Sequence, residues 1–138
     1  MSKTFQFELV SPEHKVISEP MAYVSIPGTE GVFGVLPGHA SLIATLKAGV
    51  VELTPADSAN SDATQKIFVA GGVADVSADN VTILAEEAVA LGALDPNTLA
   101  EKLKYLEEDL AITEDPVDQK RLQKNIIVTK AKLDAIAA

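Results

Sequence analysis

The sequence contains no cysteine and no tryptophan, and only two of its 138 residues are histidines. The lack of cysteine excludes disulfides, thiolate metal sites and cysteine nucleophiles. With only His14 and His39 available, a metal site would have to take most of its ligands from carboxylates. We therefore predict neither a metal nor another cofactor.

Basic residues are scarce as well: 11 lysines and arginines stand against 20 acidic residues, for a net charge of −9. This balance disfavours nucleic acid or an anionic membrane surface as the main partner. No apolar run approaches the roughly 20 residues that a membrane span requires, so we predict no direct insertion into a membrane. The first residues show neither a signal-peptide nor a transit-peptide pattern, and we expect the protein to work in the compartment where it is made.

Hydrophobic residues make up 47% of the chain although aromatic residues make up only 4%. This composition is enough for a packed core, built from Val, Ile, Leu and Ala. The length predicts one compact unit or two very small ones.

Residues 1–90 show the pattern of a β-structure. Apolar residues alternate with polar ones at Phe5, Phe7 and Leu9, as in a half-buried strand. Short β-branched runs follow, at 23–26, 32–36, 42–46, 50–53, 67–70, 73–76 and 81–84. Many short strands without intervening helices predict an antiparallel β-sandwich or flattened barrel.

Turn residues separate many of these runs. The predicted turns are at Pro27-Gly28, Pro37-Gly38, Ala48-Gly49, Gly71-Gly72 and Asp79-Asn80. Residues 54–65 lack periodicity and are polar, which predicts a long hairpin loop.

Residues 91–138 show helical periodicity instead. Apolar stripes recur at spacings of three and four, at Leu99, Leu103, Leu106 and Leu110, and at Leu122, Ile126, Thr129, Leu133 and Ile136. Asp95-Pro96 and Asp115-Pro116 each supply an N-cap followed by a proline at the first helical position. We predict an antiparallel α-helical hairpin.

The two predicted helices differ in charge. Residues 95–115 carry seven acidic and two basic side chains, whereas residues 119–138 carry five basic side chains and Asp134. Exposed ion pairs are worth only about 0.2–1 kcal/mol. The pattern fits the solvated faces of one hairpin, and it also fits a second helix that leaves the first to meet an acidic partner.

No catalytic motif is present: neither a nucleophile elbow, nor a phosphate-binding loop, nor a His-Glu-x-x-His zinc motif. An acid/base pair of His39 with Glu30 or Ser41 would still need a nucleophile and an orienting group. We predict that the protein is not an enzyme and that His39 serves a turn or an interface.

Two segments carry a resemblance to a known family. Residues 28–42, GTEGVFGVLPGHASL, resemble the G-x-E-G-x-x-G and L-P-G-H-A-P-L signature of epsilon subunits of F-type ATP synthases, with Ser41 in place of the usual proline. Residues 68–76, FVAGGVADV, and 80–86, NVTILAE, resemble the paired-glycine strand of that family and the strand that follows it. The resemblance covers the whole chain.

This resemblance implies a non-catalytic central-stalk subunit that couples proton-driven rotation to ATP synthesis. It implies that residues 1–90 dock the gamma subunit and the membrane rotor ring. The implied ring contacts are Thr29, Glu30 and Val32, and the implied gamma contacts are Ser11, His39 and Ala44. The implied location is the cytoplasmic face of a bacterial inner membrane, as a peripheral part of the synthase.

The resemblance also implies a regulatory hairpin over residues 91–138. In the extended form, its second helix would contact the catalytic beta subunits and inhibit ATP hydrolysis. The candidates for that contact are Lys120, Arg121 and Lys124, and Gly92 is the candidate hinge.

Some bacterial relatives bind ATP through an L-D-x-x-R-A motif at the first helix. The matching stretch here is Leu94 to Leu99, in which Thr98 and Leu99 replace the arginine and the alanine. We therefore expect weak ATP binding or none by the isolated subunit. The alternative function is a stand-alone β-sandwich module that binds a ligand or protein and carries a dimerising hairpin.

Overall fold

A computed structural model describes residues 4–12, 15–55 and 65–137. The chain divides into two compact units, residues 1–90 and residues 91–138. The first unit is built of strands and the second of helices, as the change in sequence period predicts.

The described part of the first unit contains seven strands. They are β1 (Phe5–Val10), β2 (Lys15–Gly28), β3 (Gly31–Val35), β4 (Leu42–Pro55), β5 (Gln65–Val76), β6 (Asn80–Ala85) and β7 (Ala88–Ala90). The strands follow the order β1-β6-β5-β4-β2-β3, and β1 also pairs with β2, which closes the sheet on itself. The predicted β-sandwich or flattened barrel, followed by helices, is confirmed.

One strand pair departs from the antiparallel prediction. β1 and β6 run parallel, with Phe7 opposite Val81 and Leu9 opposite Ile83. Parallel neighbours require a long connection, and here the four strands β2 to β5 provide it. The sequence shows no helical crossover because strands, rather than a helix, connect β1 to β6.

The core follows the alternation of each strand. Phe5, Phe7 and Leu9 of β1 are buried, while the residues between them are half-exposed. Other strands add Met21, Val24, Ile26, Val35, Val51, Leu53, Val69, Val76, Val81 and Ile83 to the same cluster. Each such side chain contributes about 1.5–3 kcal/mol when it is fully buried.

Three predicted turns are wrong. β4 runs through Ala48-Gly49 and β5 runs through Gly71-Gly72, and the two strands pair with each other without a register shift. Pro27-Gly28 still belongs to β2, and the chain reverses one step later, at Thr29-Glu30. Glycine inside a strand can mark the close approach of a neighbouring strand rather than a reversal, as at Gly49 and Gly72, where a Cβ would lie too close to Pro27 and to the Leu84 carbonyl.

Other turns are as predicted. Pro37-Gly38 forms a turn, and the Ser77 side chain bonds the backbone of Asn80 at the turn before β6. Most of the predicted polar loop, residues 56–64, lies outside the described residues, while its ends belong to β4 and β5. The first part of β2 and all of β7 are strands that the sequence pattern did not predict.

The second unit contains a 3-10 turn at Leu91–Ala93 and two helices, α1 (Pro96–Ile112) and α2 (Pro116–Ala137). Both predicted N-caps are confirmed. Asp95 Oδ1 accepts the backbone N–H of Asn97 at 3.0 Å, and Asp115 Oδ1 accepts that of Val117 at 3.0 Å. Proline occupies the first position of each helix, where no N–H donor is needed.

The helices pack against each other as a hairpin. Of the predicted stripes, Leu99, Leu122, Ile126 and Thr129 are buried and the remaining members are half-buried. Gln119 Nε2 donates to the Thr113 carbonyl at 2.8 Å, which ties α2 to the connection between the helices.

Candidate functional site

The predicted ring contacts lie together at one hairpin tip. Thr29 and Glu30 form the two-residue turn between β2 and β3, and Val32 follows on β3. All three are exposed, and Val32 is 66% exposed. We call Thr29, Glu30 and Gly31 the β2–β3 tip.

The glycines that flank this turn explain how it closes. Gly28 pairs with Gly31, and a Cβ on Gly28 would lie 2.9 Å from the Gly31 carbonyl oxygen. Gly31 adopts a φ of 139°, which other residues rarely reach. Both glycines therefore serve a tight reversal around Thr29 and Glu30.

The tip is fastened to β4. The Thr29 N–H donates to the Thr45 carbonyl at 3.0 Å. The two threonine hydroxyls are 2.9 Å apart and hydrogen-bonded. Both threonines line an open groove of about 560 Å³ between the tip and the first residues of β4. The groove is lined by Gly28, Thr29, Glu30, Gly31, Val32, Phe33, Leu42, Ile43, Ala44 and Thr45.

The predicted gamma contacts are not brought together. Ser11 follows β1, at the end of the sheet where β1 and β6 finish. His39 precedes β4, at the opposite end, where Gly38 N–H donates to the Ala78 carbonyl at 2.9 Å. The length of β1, six residues or roughly 20 Å, separates these two ends.

Ala44 has an orientation that the sequence reasoning missed. It is half-buried and lies opposite Ala74, which belongs to the core, so its side chain is on the inner face of β4. Its neighbours Ile43 and Thr45 lie on the outer face and are exposed. The alternation of the strand could have shown this, because successive side chains point to opposite faces.

The outer face carries exposed apolar side chains across three adjacent strands. Ile43 of β4 is 74% exposed, Val73 of β5 is 36% exposed and Leu84 of β6 is 56% exposed. Val73 and Leu84 lie directly opposite each other, and Ile43 is opposite Asp75, two residues along β5 from Val73. We call Ile43, Val73 and Leu84 the outer apolar patch. No sequence signal marked it, because its members lie on strands that are distant along the chain.

The environment of His39 is not that of a catalytic base. Its Nδ1–H donates to the carbonyl oxygen of the adjacent Ala40 at 2.7 Å. It makes no hydrogen bond to Glu30 or Ser41, all three being described residues. Among the described residues, no group of three or more side chains is arranged to hold a metal ion.

The predicted inhibitory residues lie on the first half of α2 and are exposed. Lys120 and Lys124 are one turn apart, and Arg121 lies between them in sequence. The Arg121 guanidinium is 3.6 Å from Asp118 Oδ1, an exposed i,i+3 pair. A new acidic partner would compete with this pair at little cost, since such pairs are weak.

Gly92 lies in the 3-10 turn at the start of the second unit. Its φ is not in the left-handed region, and a Cβ at this position would meet no atom within 4 Å. The described conformation therefore does not require glycine at position 92.

Residues 94–99, which align with the ATP-binding motif, form the start of α1 and the segment before it. Asp95 uses both carboxylate oxygens: Oδ1 accepts the Asn97 N–H, and Oδ2 accepts the Thr98 hydroxyl at 2.9 Å. Leu99, at the position of the motif's alanine, is buried. Among the described residues, neither α1 nor α2 combines the length and the hydropathy of a membrane-spanning helix.

Comparison with known proteins gives consistent results. Residues 4–91 match the family model of the β-sandwich domain of the ATP synthase delta/epsilon chain. The chain is 40% identical to the ATP synthase epsilon chain of Rhodospirillum centenum, over 100% of this chain and 95% of that one. It is 34% identical to the epsilon chain of Paramagnetospirillum magneticum, over 99% and 100% of the two chains.

Solved structures show the same fold. A chain in the mitochondrial ATP synthase of Euglena gracilis, solved as OSCP/F1/c-ring, has a TM-score of 0.80 at 23% identity and covers 98% of this chain and 82% of its own. A chain in the central stalk/c-ring of the Tetrahymena thermophila mitochondrial synthase has a TM-score of 0.61 at 12% identity, over 99% and 96% of the two chains.

Proposed function

Because the chain belongs to the delta/epsilon family of ATP synthase chains, as an epsilon subunit of the central stalk of an F-type ATP synthase, we propose that its role is mechanical. It joins the gamma subunit to the rotor ring, so that proton-driven rotation reaches the catalytic head. It contributes no catalytic group itself. The enzyme works at the cytoplasmic face of a bacterial inner membrane, with this subunit attached through its partners.

The outer apolar patch is the observation that carries the proposal. Its three side chains are exposed although they are large or β-branched, and they lie on the outer side of paired strands. Exposed apolar groups that lie together mark interaction sites on soluble proteins. We assign this patch to gamma, with Ser11 and His39 near the two ends of the same sheet. Ala44 then supports the interface from the inner face.

The β2–β3 tip is assigned to the rotor ring. Thr29 and Glu30 project at the turn, and Val32 adds an exposed apolar surface beside them. Thr45, to which Thr29 is bonded, is the cross-strand partner of Val73. The tip therefore adjoins the outer apolar patch, and a single rigid sandwich can hold both partners.

Regulation is assigned to the helical hairpin. Extension about Gly92 would bring Lys120, Arg121 and Lys124 to an acidic segment of the catalytic beta subunits and block ATP hydrolysis. The support is the exposed basic surface at the start of α2. The full-length similarity to epsilon chains disfavours the alternative of a stand-alone binding module.

Titration calorimetry with the cognate gamma subunit tests the assignment of the patch. We expect one-to-one binding by the wild-type chain. Ile43→Asp and Leu84→Asp should each weaken it by more than about tenfold, because a buried apolar anchor is worth roughly 2 kcal/mol. Ile112→Asp is the matched control, since Ile112 is 80% exposed on α1, away from the patch residues in sequence.

Equal affinity for gamma in the wild type and both patch variants would remove the assignment of the patch. Self-association of the chain without affinity for gamma would instead support the binding module.

A further inference from the structure

Thr45 is the only described residue whose side chain bonds the β2–β3 tip. Its hydroxyl is 2.9 Å from that of Thr29, and its carbonyl accepts the Thr29 N–H at 3.0 Å. Glu30, the other turn residue, makes no side-chain hydrogen bond or ion pair with a described residue. The orientation of the tip therefore depends on Thr29 and its partner.

Pairing within the hairpin does not fix the tip by itself. The last paired residues are Gly28 and Gly31, and glycine restrains the backbone less than any other residue. β2 pairs with β4 up to Gly28 and Leu46, so Thr29 is the first residue beyond that ladder. A bond from Thr29 to Thr45 extends the attachment by one step, to the turn itself.

The two bonded threonines lie on opposite sides of the groove. Residues 28–33 form one wall and residues 42–45 form the other. The hydroxyl bond is the side-chain link between the two walls, beside the backbone bond from Thr29 N–H to the Thr45 carbonyl, so its loss would leave the backbone bond alone to hold the tip to β4.

We propose that Thr45 is a positioning residue: it holds Thr29 and Glu30 in the orientation in which the tip engages the rotor ring, and it keeps the adjoining groove in shape. This proposal rests on the assignment of the tip to the ring. Thr45 acts through Thr29, and its role requires the hydroxyl rather than the bulk of its side chain.

Hydrogen exchange of the full-length chain tests the positioning without any partner. Thr45→Val keeps the shape of the side chain and removes its hydroxyl. We expect exchange of the Thr29 amide, whose N–H donates to the Thr45 carbonyl, to accelerate about three- to tenfold, as for the loss of one hydrogen bond worth about 1 kcal/mol. Thr45→Ser, which keeps the hydroxyl, should restore the wild-type rate.

Two further variants make the test specific. Thr29→Val should accelerate exchange to the same extent, and the double variant Thr29→Val/Thr45→Val should be no faster than either single one, because both remove the same bond. Thr54→Val, also in β4, is the matched control, since the Thr54 side chain makes no hydrogen bond among the described residues. Unchanged exchange in Thr45→Val, or failure of Thr45→Ser to restore it, would overturn the proposal.

Crosslinking in the assembled synthase tests the positioning role of Thr45 separately from the assignment of the β2–β3 tip to the rotor ring. The chain has no cysteine, so Glu30→Cys introduces a single reactive thiol at the tip. We expect it to crosslink to the ring through a short thiol-reactive linker, and Thr45→Val to lower the yield several-fold while Thr45→Ser does not. No crosslink in either background would refute the ring assignment. Equal yields with and without Thr45→Val would refute the positioning role alone.

Discussion

Gly34 and Gly72 lie inside strands, at positions where a side chain would collide with a neighbouring strand. A Cβ on Gly34 would fall on the hydroxyl and ring of Tyr23, a residue of the neighbouring strand β2. A Cβ on Gly72 would fall on the Leu84 carbonyl oxygen, and Gly72 also has a φ of 139°. The sequence motifs point to these glycines, but whether each makes a turn or a close approach depends on a partner strand that the local sequence does not reveal.

The two collisions differ in how they can be relieved. The Tyr23 side chain can rotate away from Gly34, whereas the Leu84 carbonyl is held in the β5–β6 ladder. We expect Gly72→Ala to lower the free energy of unfolding by more than about 2 kcal/mol. We expect Gly34→Ala to cost about 1 kcal/mol, with part of that cost removed when Tyr23→Ala is added. Urea unfolding of the full chain measures both.

Gly92→Ala serves as the control for these substitutions. Its site is open and its φ is ordinary, so alanine should leave stability unchanged or raise it by about 0.5 kcal/mol. A neutral Gly72→Ala, or a Gly92→Ala as damaging as Gly72→Ala, would contradict the structural account of these glycines.

Helices and strands were not equally predictable at the scale of elements. Each helix starts at an Asp-Pro pair whose capping bonds are local, so the sequence predicts both starts correctly. β4 and β5 are continuous strands of 14 and 12 residues, although glycines interrupt their apolar pattern. Their continuity comes from pairing with each other over residues 42–53 and 65–76, which is a non-local property.

The candidate site likewise combines residues that are close in sequence with residues that only the pairing of distant strands brings together. Thr29, Glu30 and Val32 are close in sequence, and the structure keeps them together in the β2–β3 hairpin. Thr45 is 16 residues away from Thr29, and no motif connects them. The outer apolar patch draws on three strands and emerges only from their register.

The caps provide a test at the scale of the helices. We expect Asp95→Ala and Asp115→Ala each to lower stability by about 1 kcal/mol, because each leaves a backbone N–H at a helix start without its acceptor. Asp95 also accepts the Thr98 hydroxyl, so Asp95→Ala should lower stability more than Asp115→Ala does. Circular dichroism during urea unfolding reports the effect on helix content.

Asp134→Ala is the matched control for the caps. Asp134 is exposed near the C-terminal end of α2, where a negative charge opposes the helix dipole. Removing it should be neutral or slightly stabilising. A loss equal to that of the cap variants would mean that the Asp95 and Asp115 bonds contribute nothing specific.

At the scale of the whole molecule, the strand unit and the helical unit have separate tasks in the proposed mechanism. The closed sheet, which pairs β1 with β2, gives the first unit the rigidity that a coupling element needs. The helical unit begins with a 3-10 turn in which position 92 has room for a larger residue than glycine. Any requirement for glycine there would therefore come from another conformation of the turn.

The regulatory proposal predicts a gain of ATP hydrolysis. Deletion of residues 91–138 should raise hydrolysis by the reconstituted catalytic head at least about fivefold, the effect of a coupling free energy of about 1 kcal/mol. The triple variant Lys120→Ala/Arg121→Ala/Lys124→Ala should give most of that increase. Lys130→Ala, which removes another exposed basic residue of α2, is the matched control and should give none. Hydrolysis unchanged by the deletion would leave coupling as the only role.

Proton-driven ATP synthesis tests the central claim most directly. Vesicles carrying the cognate synthase, assembled with or without this chain, can be given the same imposed proton gradient and assayed for ATP. A central-stalk subunit that couples rotation should be required: synthesis should be lost without the chain and restored when the purified wild-type chain is added back. Equal rates of synthesis with and without the chain would contradict the account.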